Sequence, residues 1–255
     1  MVMIKLFIIL FFILYVWAFF IEPNLLTVKK YTVNNLDGKR IVFVSDFHIA
    51  KGDRNRLRKI VNKINEINPD LVLSGGDYVK GHTDKSTLKI EEQAEEFSKI
   101  KAPIVTVLGN HDSWYDKYRV KTALERKGIT VLHNTSTKIG NLYIAGVEDT
   151  QTSVPEITTA LENTEFPRIL LSHSPDIYYD VKEDVDLILA GHVHGGQVRL
   201  PFFGALICPS IYGTKFASGD FKETQNRMIV TQGLGTSILT VRFNDIPEIV
   251  ILEGK

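Results

Sequence analysis

The sequence predicts an α/β fold: a parallel-rich sheet covered by helices, a second sheet packed on the first, and an apolar helix at the N-terminus. Three observations carry this. Short continuous apolar runs such as Arg40-Ile41-Val42-Phe43-Val44 suit strands buried on both faces. In the first half these runs alternate with amphipathic segments, the strand–helix rhythm of a parallel sheet, whereas strands outnumber helices in the second half. Residues 1–21 carry a single charge, Lys5, and the run from Leu6 to Ile21 is apolar on every face.

At about 1.5 Å per residue, a helix over residues 1–21 covers roughly the 30 Å of a bilayer core. The stretch before Glu22-Pro23 lacks the small-residue pattern of a cleavage site, so an uncleaved anchor is expected rather than a signal peptide. Lys29, Lys30, Lys39 and Arg40 follow the span and only Lys5 precedes it, which leans the C-terminal side towards the cytoplasm. Residues 22–39, broken by Pro23 and Asp37-Gly38, read as a linker with one short strand, and a catalytic domain is expected over 40–255. Within it, Leu57, Ile60, Val61, Ile64 and Ile67 recur at helical spacing across 53–68, stopped by Pro69. Strands follow at 71–73 and 104–108, and helices at 90–100 and 117–127, the latter closed by Gly128. Later strands are expected at 142–147, 169–171, 185–190, 228–231 and 246–252.

Thirty basic and thirty acidic residues leave 255 residues with no net charge, which excludes a strongly basic nucleic-acid binder. With 44% hydrophobic and 24% charged residues, the chain is not disordered. The single cysteine, Cys208, excludes an intramolecular disulfide and a thiolate zinc cluster, and between Ile207 and Pro209 it reads as a small packed hydrophobe.

The chemistry lies in five blocks, each at the C-terminal end of an expected strand: Asp46-Phe47-His48, Gly76-Asp77, Gly109-Asn110-His111-Asp112, His173, and Gly191-His192-Val193-His194. Ligands bind beyond strand C-termini in open α/β sheets, so these loops should converge. An isolated Asp-x-His or His-x-His is commonly structural; five such blocks in one order are not. Two Asp, one Asn and four His, setting His111 aside, are too many for one tetrahedral zinc and suit two divalent ions sharing a carboxylate. Asp46 and His48, like His192 and His194, would project to one side of an extended turn, and Gly76, Gly109 and Gly191 would let the backbone turn tightly beneath a metal.

The order D-x-H, GD, GNH(D/E), H, GHxH resembles the calcineurin-like metallophosphoesterase superfamily over residues 41–252. The resemblance implies a two-sheet α/β/β/α sandwich with a dinuclear centre of divalent ions (Mn, Fe or Zn). It implies one ion on Asp46, His48 and His194, the other on Asn110, His173 and His192, Asp77 bridging both, and His111 as a catalytic residue rather than a ligand. Gly191–Pro201, Gln232-Gly233-Leu234-Gly235-Thr236, Val241-Arg242-Phe243 and Pro247-Glu248, with the apolar N-terminus, are similar to a membrane-anchored bacterial branch of YkuE-like and YaeI-like phosphodiesterases and UDP-diacylglucosamine pyrophosphatases. The segment Gly76-Asp77-Tyr78-Val79-Lys80-Gly81 departs from the GDxxDRG block of Ser/Thr protein phosphatases, so protein phosphatase activity is not expected.

The implied activity is hydrolysis of a lipid-linked or nucleotide diphosphate by a membrane-associated monomer. A phosphomonoesterase or cell-wall phosphate hydrolase is the alternative, and a non-catalytic metal-binding scaffold a weaker one. Two assignments stay open at this level. Asp112 either orients His111 or caps the following helix, and Gly195-Gly196-Gln197 either offers amides to substrate or simply turns the chain. Arg199 is expected at the surface, and His82 and His133 are expected to be structural or solvated.

Overall fold

The continuous apolar run at 40–44 divides its side chains between two cores. Ile41 and Phe43 enter one hydrophobic cluster, Val42 and Val44 another, the period-2 alternation of a strand covered on both faces. The computed structural model describes residues 1–36 and 38–254, so Asp37 of the expected Asp37-Gly38 turn lies outside the described residues.

The elements run α1 (Val2–Val16), continued by a π-helical turn (Trp17–Ile21), then β1 (Thr27–Val33), β2 (Arg40–Val44), α2 (Arg54–Ile67), β3 (Leu71–Ser74), α3 (Ile90–Phe97), β4 (Ile104–Thr106), α4 (Asn110–Glu125) and β5 (Thr130–Val131). The second half holds β6 (Thr135–Ile139), β7 (Leu142–Gly146), α5 (Ile157–Leu161), β8 (Arg168–Leu171), β9 (Leu187–Ala190), the hairpin β10 (Arg199–Leu200) and β11 (Gly204–Ala205), β12 (Gly219–Phe221), β13 (Met228–Val230) and β14 (Glu248–Gly254). One six-stranded sheet has the order β1-β14-β2-β3-β4-β5 and the other β12-β13-β9-β8-β7-β6. Pairing is parallel across β2-β3-β4-β5 and across β13-β9-β8-β7.

The inner faces of both sheets meet in one core, where Phe43, Leu73, Val105 and Leu252 join Ile144, Leu171, Leu189 and Ile229. Outside the first sheet, α2, α3 and α4 bury Leu57, Ile64, Phe97 and Leu124; outside the second, Leu161, Tyr178 and Phe216 cover β8, β9 and β13. The fold is thus the expected two-sheet sandwich with helical outer layers.

The short strand expected within the linker is β1, which pairs in parallel with β14 through seven residues, Thr27 opposite Glu248 to Val33 opposite Gly254. It is an edge strand and buries only Val33. Two expectations change. The helix expected at 117–127 begins at Asn110, inside the ligand block, with non-helical backbone at Asp116. The short β6 and β12, with mostly part-exposed side chains, had no apolar signal to reveal them.

The N-terminal helical segment Val2–Asn24 is long and apolar enough to cross a membrane, with a mean hydropathy of 2.7 over its best window. None of the α1 side chains is buried. Its lower end is fastened to the domain: Arg242 N–H donates to Ala18 O (2.9 Å), and the buried Glu22 carboxylate accepts from Trp17 Nε1 and Asp245 N (2.5 Å each).

Candidate metal centre and active site

The loops leaving β2 and β3 continue to pair beyond the strands, Asp46 N donating to Gly76 O (2.9 Å) and His48 N to Asp77 O (3.0 Å). This carries Asp46, His48 and Asp77 to the same edge. Their backbones are not extended as expected. Asp46 (φ 56°), His48 (40°), Asp77 (56°), His192 (69°) and His194 (51°) all occupy the left-handed region, which costs a side-chain-bearing residue roughly 1–2 kcal/mol each. Strain repeated at five adjoining positions marks a built site. Gly76 turns the chain at a φ of 90°, whereas Gly109 and Gly191 act by leaving space. A Cβ at Gly191 would lie 2.2 Å from Ser45 Oγ and 2.5 Å from Asp46 Oδ2, and one at Gly109 2.2 Å from Asp77 Oδ1.

All seven expected ligands converge. His48 Nε2 lies 3.1 Å from His194 Nε2, and Asp46 Oδ1 3.6 Å from the same atom. His173 Nε2 lies 2.9 Å from Asn110 Oδ1 and 3.1 Å from His192 Nδ1. Asp77 Oδ2 sits between the two groups, 3.4 Å from both His48 Nε2 and His173 Nε2. Ligand atoms of Asp46, His48 and His194, of Asp46, Asp77 and His173, and of His48, Asp77 and His111 fall within 4.8 Å of one another.

The donor set fits a cation. His48 Nδ1 faces Val79 O (3.1 Å) and His173 Nδ1 faces Gly75 O (2.7 Å), so each Nδ1 carries the hydrogen and donates it. In the neutral His48 ring Nε2 then turns its lone pair towards the Asp77 carboxylate (3.4 Å), an arrangement that positive charge between them would relieve. Burial depresses His48 to about 3 and, with His173 nearby, His192 to about 4; burial and His48 hold His194 well below its ordinary value. Burial also disfavours the His173 imidazolium, but the charges of Asp77 and Asp46 outweigh it and raise His173. Burial raises Asp46 to about 6, whereas the surrounding imidazoles, led by His173, overcome burial to hold Asp77 ionised. These His/Asp clusters could hold divalent metal.

His111 takes a different position. Its backbone N–H donates to Asp77 Oδ1 (2.9 Å), its ring meets His48 edge-on (4.7 Å), and its Nε2 reaches Ser237 Oγ (3.4 Å). Its Nδ1 is buried without a partner among the described residues. Burial lowers its pKa, against the opposing pull of the Asp77 carboxylate.

The open question over Asp112 is resolved by its four donors. Oδ2 accepts from Asp77 N (2.8 Å) and Gly109 N (3.1 Å), Oδ1 from Tyr78 N (2.8 Å) and Val79 N (3.3 Å). It caps α4 and at the same time holds the Asp77 loop, and all four of these bonds go to backbone N–H groups rather than to the His111 ring. Arg199 is partly buried, donating to Gly195 O (3.3 Å) and Ser218 Oγ (2.9 Å), and so holds the turn at 195–197 rather than standing free at the surface.

Sequence reasoning missed several neighbours. His82, expected to be merely structural or solvated, stacks at the rim, 5.8 Å from His111 and 5.3 Å from Trp114. The Gln151 amide lies 3.0 Å from His192 Nε2 on the loop after β7, a sixth strand end pointing into the same crevice, which was the available signal. The fully buried Arg242 donates to Gly235 O (2.6 Å), Gln232 O (2.8 Å) and Asp245 Oδ2 (2.8 Å). It thereby pins the 232–235 loop, whose Gly235 N–H bonds Asp46 O (2.5 Å). Its motif was visible in the sequence, but its role required the fold.

A family model described as calcineurin-like phosphoesterase matches residues 39–196. The chain is 30% identical to the uncharacterized metallophosphoesterase YkuE of Bacillus subtilis over 94% of this chain and 90% of that one. It is 29% identical to phosphodiesterase YaeI of Escherichia coli over 84% of this chain and 81% of the relative. It is 25% identical to the UDP-2,3-diacylglucosamine pyrophosphatase LpxG of Chlamydia trachomatis over 93% and 92%. Among solved structures, the NAD nucleotidase NadN of Haemophilus influenzae shares the fold with a TM-score of 0.51 at 18% identity; the match covers 77% of this chain and less than half, 45%, of that one.

Proposed function

Because this chain belongs to the calcineurin-like phosphoesterase family it is a phosphoester hydrolase, and we propose that it is a membrane-anchored, dinuclear phosphodiesterase or pyrophosphatase acting on a lipid-linked or nucleotide diphosphate. The observation that carries the dinuclear reading is the position of Asp77 Oδ2, 3.4 Å from the inward nitrogens of both His48 and His173. In this reading Asp46, His48 and His194 hold one ion, Asn110, His173 and His192 hold the other, and Asp77 bridges. Bound divalent ions (Mn, Fe or Zn) would clamp phosphate oxygens and make a water acidic enough to attack phosphorus near neutral pH.

The chain's own residues do the rest. Asp112 fixes the Asp77 loop, and His48 and His173 are held by their carbonyl partners with Nε2 inward. His111, facing Ser237 at the mouth of the site, donates to the leaving oxygen as its charge develops. The lipid-linked substrate, of UDP-diacylglucosamine type, is supported by the apolar helix at residues 1–21 and by the name of the Chlamydia relative. Residues 40–255, with β1 added to their sheet, are the catalytic body in this reading, and Lys29, Lys30, Lys39 and Arg40 after the helix lean it towards the cytoplasmic side.

The test is hydrolysis of bis-p-nitrophenyl phosphate, UDP-diacylglucosamine and monoesters, each with Mn, Fe and Zn, beside metal analysis of the wild type and Asp77→Ala. The expected result is two ions per chain, both lost in Asp77→Ala, with diesters or diphosphates preferred. Unchanged metal content in Asp77→Ala refutes the bridge, and preference for monoesters favours the phosphomonoesterase reading.

A further inference from the structure

A large uncharged, apolar surface lies beside the metal cluster. Leu200 to Thr214 and Thr231 to Val241 contain no charged side chain. Within them Phe202 (104% exposed), Ile238 (94%), Phe203 (82%) and Ile207 (80%) project into solvent, with Leu206, Ile211 and Leu239 also exposed. Soluble proteins rarely leave so many large apolar side chains together on exposed loops.

The two loops are physically joined to each other and to the metal site. The Gln197 amide donates to Leu239 O (3.1 Å) and its Oε1 accepts from Ser237 N (2.7 Å). Gly196, two residues after His194, packs so closely on the hairpin loop that a Cβ there would lie 2.7 Å from Ala205 Cβ and 2.9 Å from Ile207 O. A cleft of about 290 Å³ is lined by His194, Gln197, Ile207, Pro209, Ser237 and Ile238.

The same loops adjoin the exit of the N-terminal helix. Arg199 N donates to Phe243 O (2.9 Å), next to Arg242, whose N–H bonds Ala18 O, and Trp17, Pro201 and Phe243 line a common cavity. The apolar loops are therefore continuous with the foot of the helix that carries the chain towards a bilayer.

We propose that the tips at 200–211 and 237–239 are a second lipid-bilayer contact, independent of the helix, which seats the mouth of the metal site at the membrane surface. The proposal rests on the anchor reading above for its orientation. Two contacts, the helix and the loop tips, would fix the catalytic body against the bilayer, and the cleft with Ile207, Pro209 and Ile238 in its wall offers the acyl part of a lipid an apolar surface beside His194.

The test uses the full-length chain in phosphatidylcholine–phosphatidylglycerol vesicles with Cys208→Ser as background. Nitroxides are placed at Phe203→Cys, Ile238→Cys, Phe12→Cys in the helix, and the distant exposed Val154→Cys. Accessibility to lipid-soluble oxygen is compared with that to an aqueous nickel chelate. Expected are lipid-like values at 203, 238 and 12 and aqueous values at 154. Aqueous values at 203 and 238 with lipid-like values at 12 overturn the second contact and leave the anchor standing. Lipid-like values at 203 and 238 with aqueous values at 12 uphold the contact and refute the anchor. Shielding of 203 and 238 from both reagents means a protein partner or second copy covers the patch, and the proposal fails. As a functional arm, Phe202→Ser combined with Phe203→Ser should lower efficiency on a vesicle-presented lipid diphosphate about tenfold while leaving bis-p-nitrophenyl phosphate hydrolysis unchanged. Equal effects on both substrates would also overturn it.

Discussion

Replacing Asp112 by alanine removes one buried carboxylate that four backbone N–H groups share, those of Asp77, Tyr78, Val79 and Gly109. Burial and the neighbouring Asp77 raise Asp112 to about 7, so part of its bonding strength is offset by the cost of keeping a charge in the core. The donors left behind cannot reach water, and each unsatisfied buried donor costs roughly 1–3 kcal/mol, with relaxation preventing a simple sum. Removing one side of a buried charged network typically costs about 3–5 kcal/mol, the loss expected here. With a urea slope of about 2–3 kcal/mol per molar, the midpoint should fall by about 1–2 M. Because the freed loop carries Asp77, metal content should fall with it. The assay pairs urea denaturation with metal analysis and with rates on two esters of different leaving group. A stable, metal-loaded variant that lost rate only on the poor leaving group would refute the clamp and make Asp112 a partner of His111 instead.

His111→Ala should retain its metals and lose about 10²- to 10⁴-fold in rate on alkyl esters, and less on a nitrophenyl ester that needs little proton donation; equal losses on both would show that His111 serves the phosphoryl oxygens. Deleting residues 1–16 should leave kinetics on soluble diesters intact, whereas deleting 1–30 removes the buried Glu22 and the first four residues of β1 opposite Glu248–Ile251, and should give a markedly less stable protein by thermal denaturation; equal melting temperatures would refute a structural role for β1. Burial pushes the Cys208 thiol up to about 11, so at pH 8 its thiolate fraction is about a hundredfold below that of an unshifted thiol, and a maleimide should label the native protein correspondingly slowly, faster as pH rises; free-thiol rates at pH 8 would contradict the packed position.

How much was legible depended on where a residue's partners lie in the chain. Buried strands such as β2, β3, β8 and β9 announce themselves because both faces are apolar, so every residue in the run reports burial. Edge strands do not: β1 sends Lys29 and Lys30 to solvent and exists because β14, more than two hundred residues later, offers it a ladder. The start of α4 was obscured for a related reason. Asn110 and Asp112 read as ligand and loop chemistry, while Gly109 as cap and Asp112 as acceptor for a distant loop become visible only in three dimensions.

The sequence by itself determined the ligand types, their order, and their place at strand ends, because donor chemistry and strand patterning are local properties that survive in one dimension. It also determined the apolar N-terminus and the absence of a disulfide. Only the tertiary structure decided that Asp77 lies midway between two imidazole groups, that ligand backbones sit in the left-handed region, that Arg242 pins the loop beneath Asp46, and that the apolar loops at 200–211 and 237–239 are joined through Gln197 beside His194. Those are distances between segments far apart in sequence, set by how two sheets pack across a common core, and no local pattern encodes them.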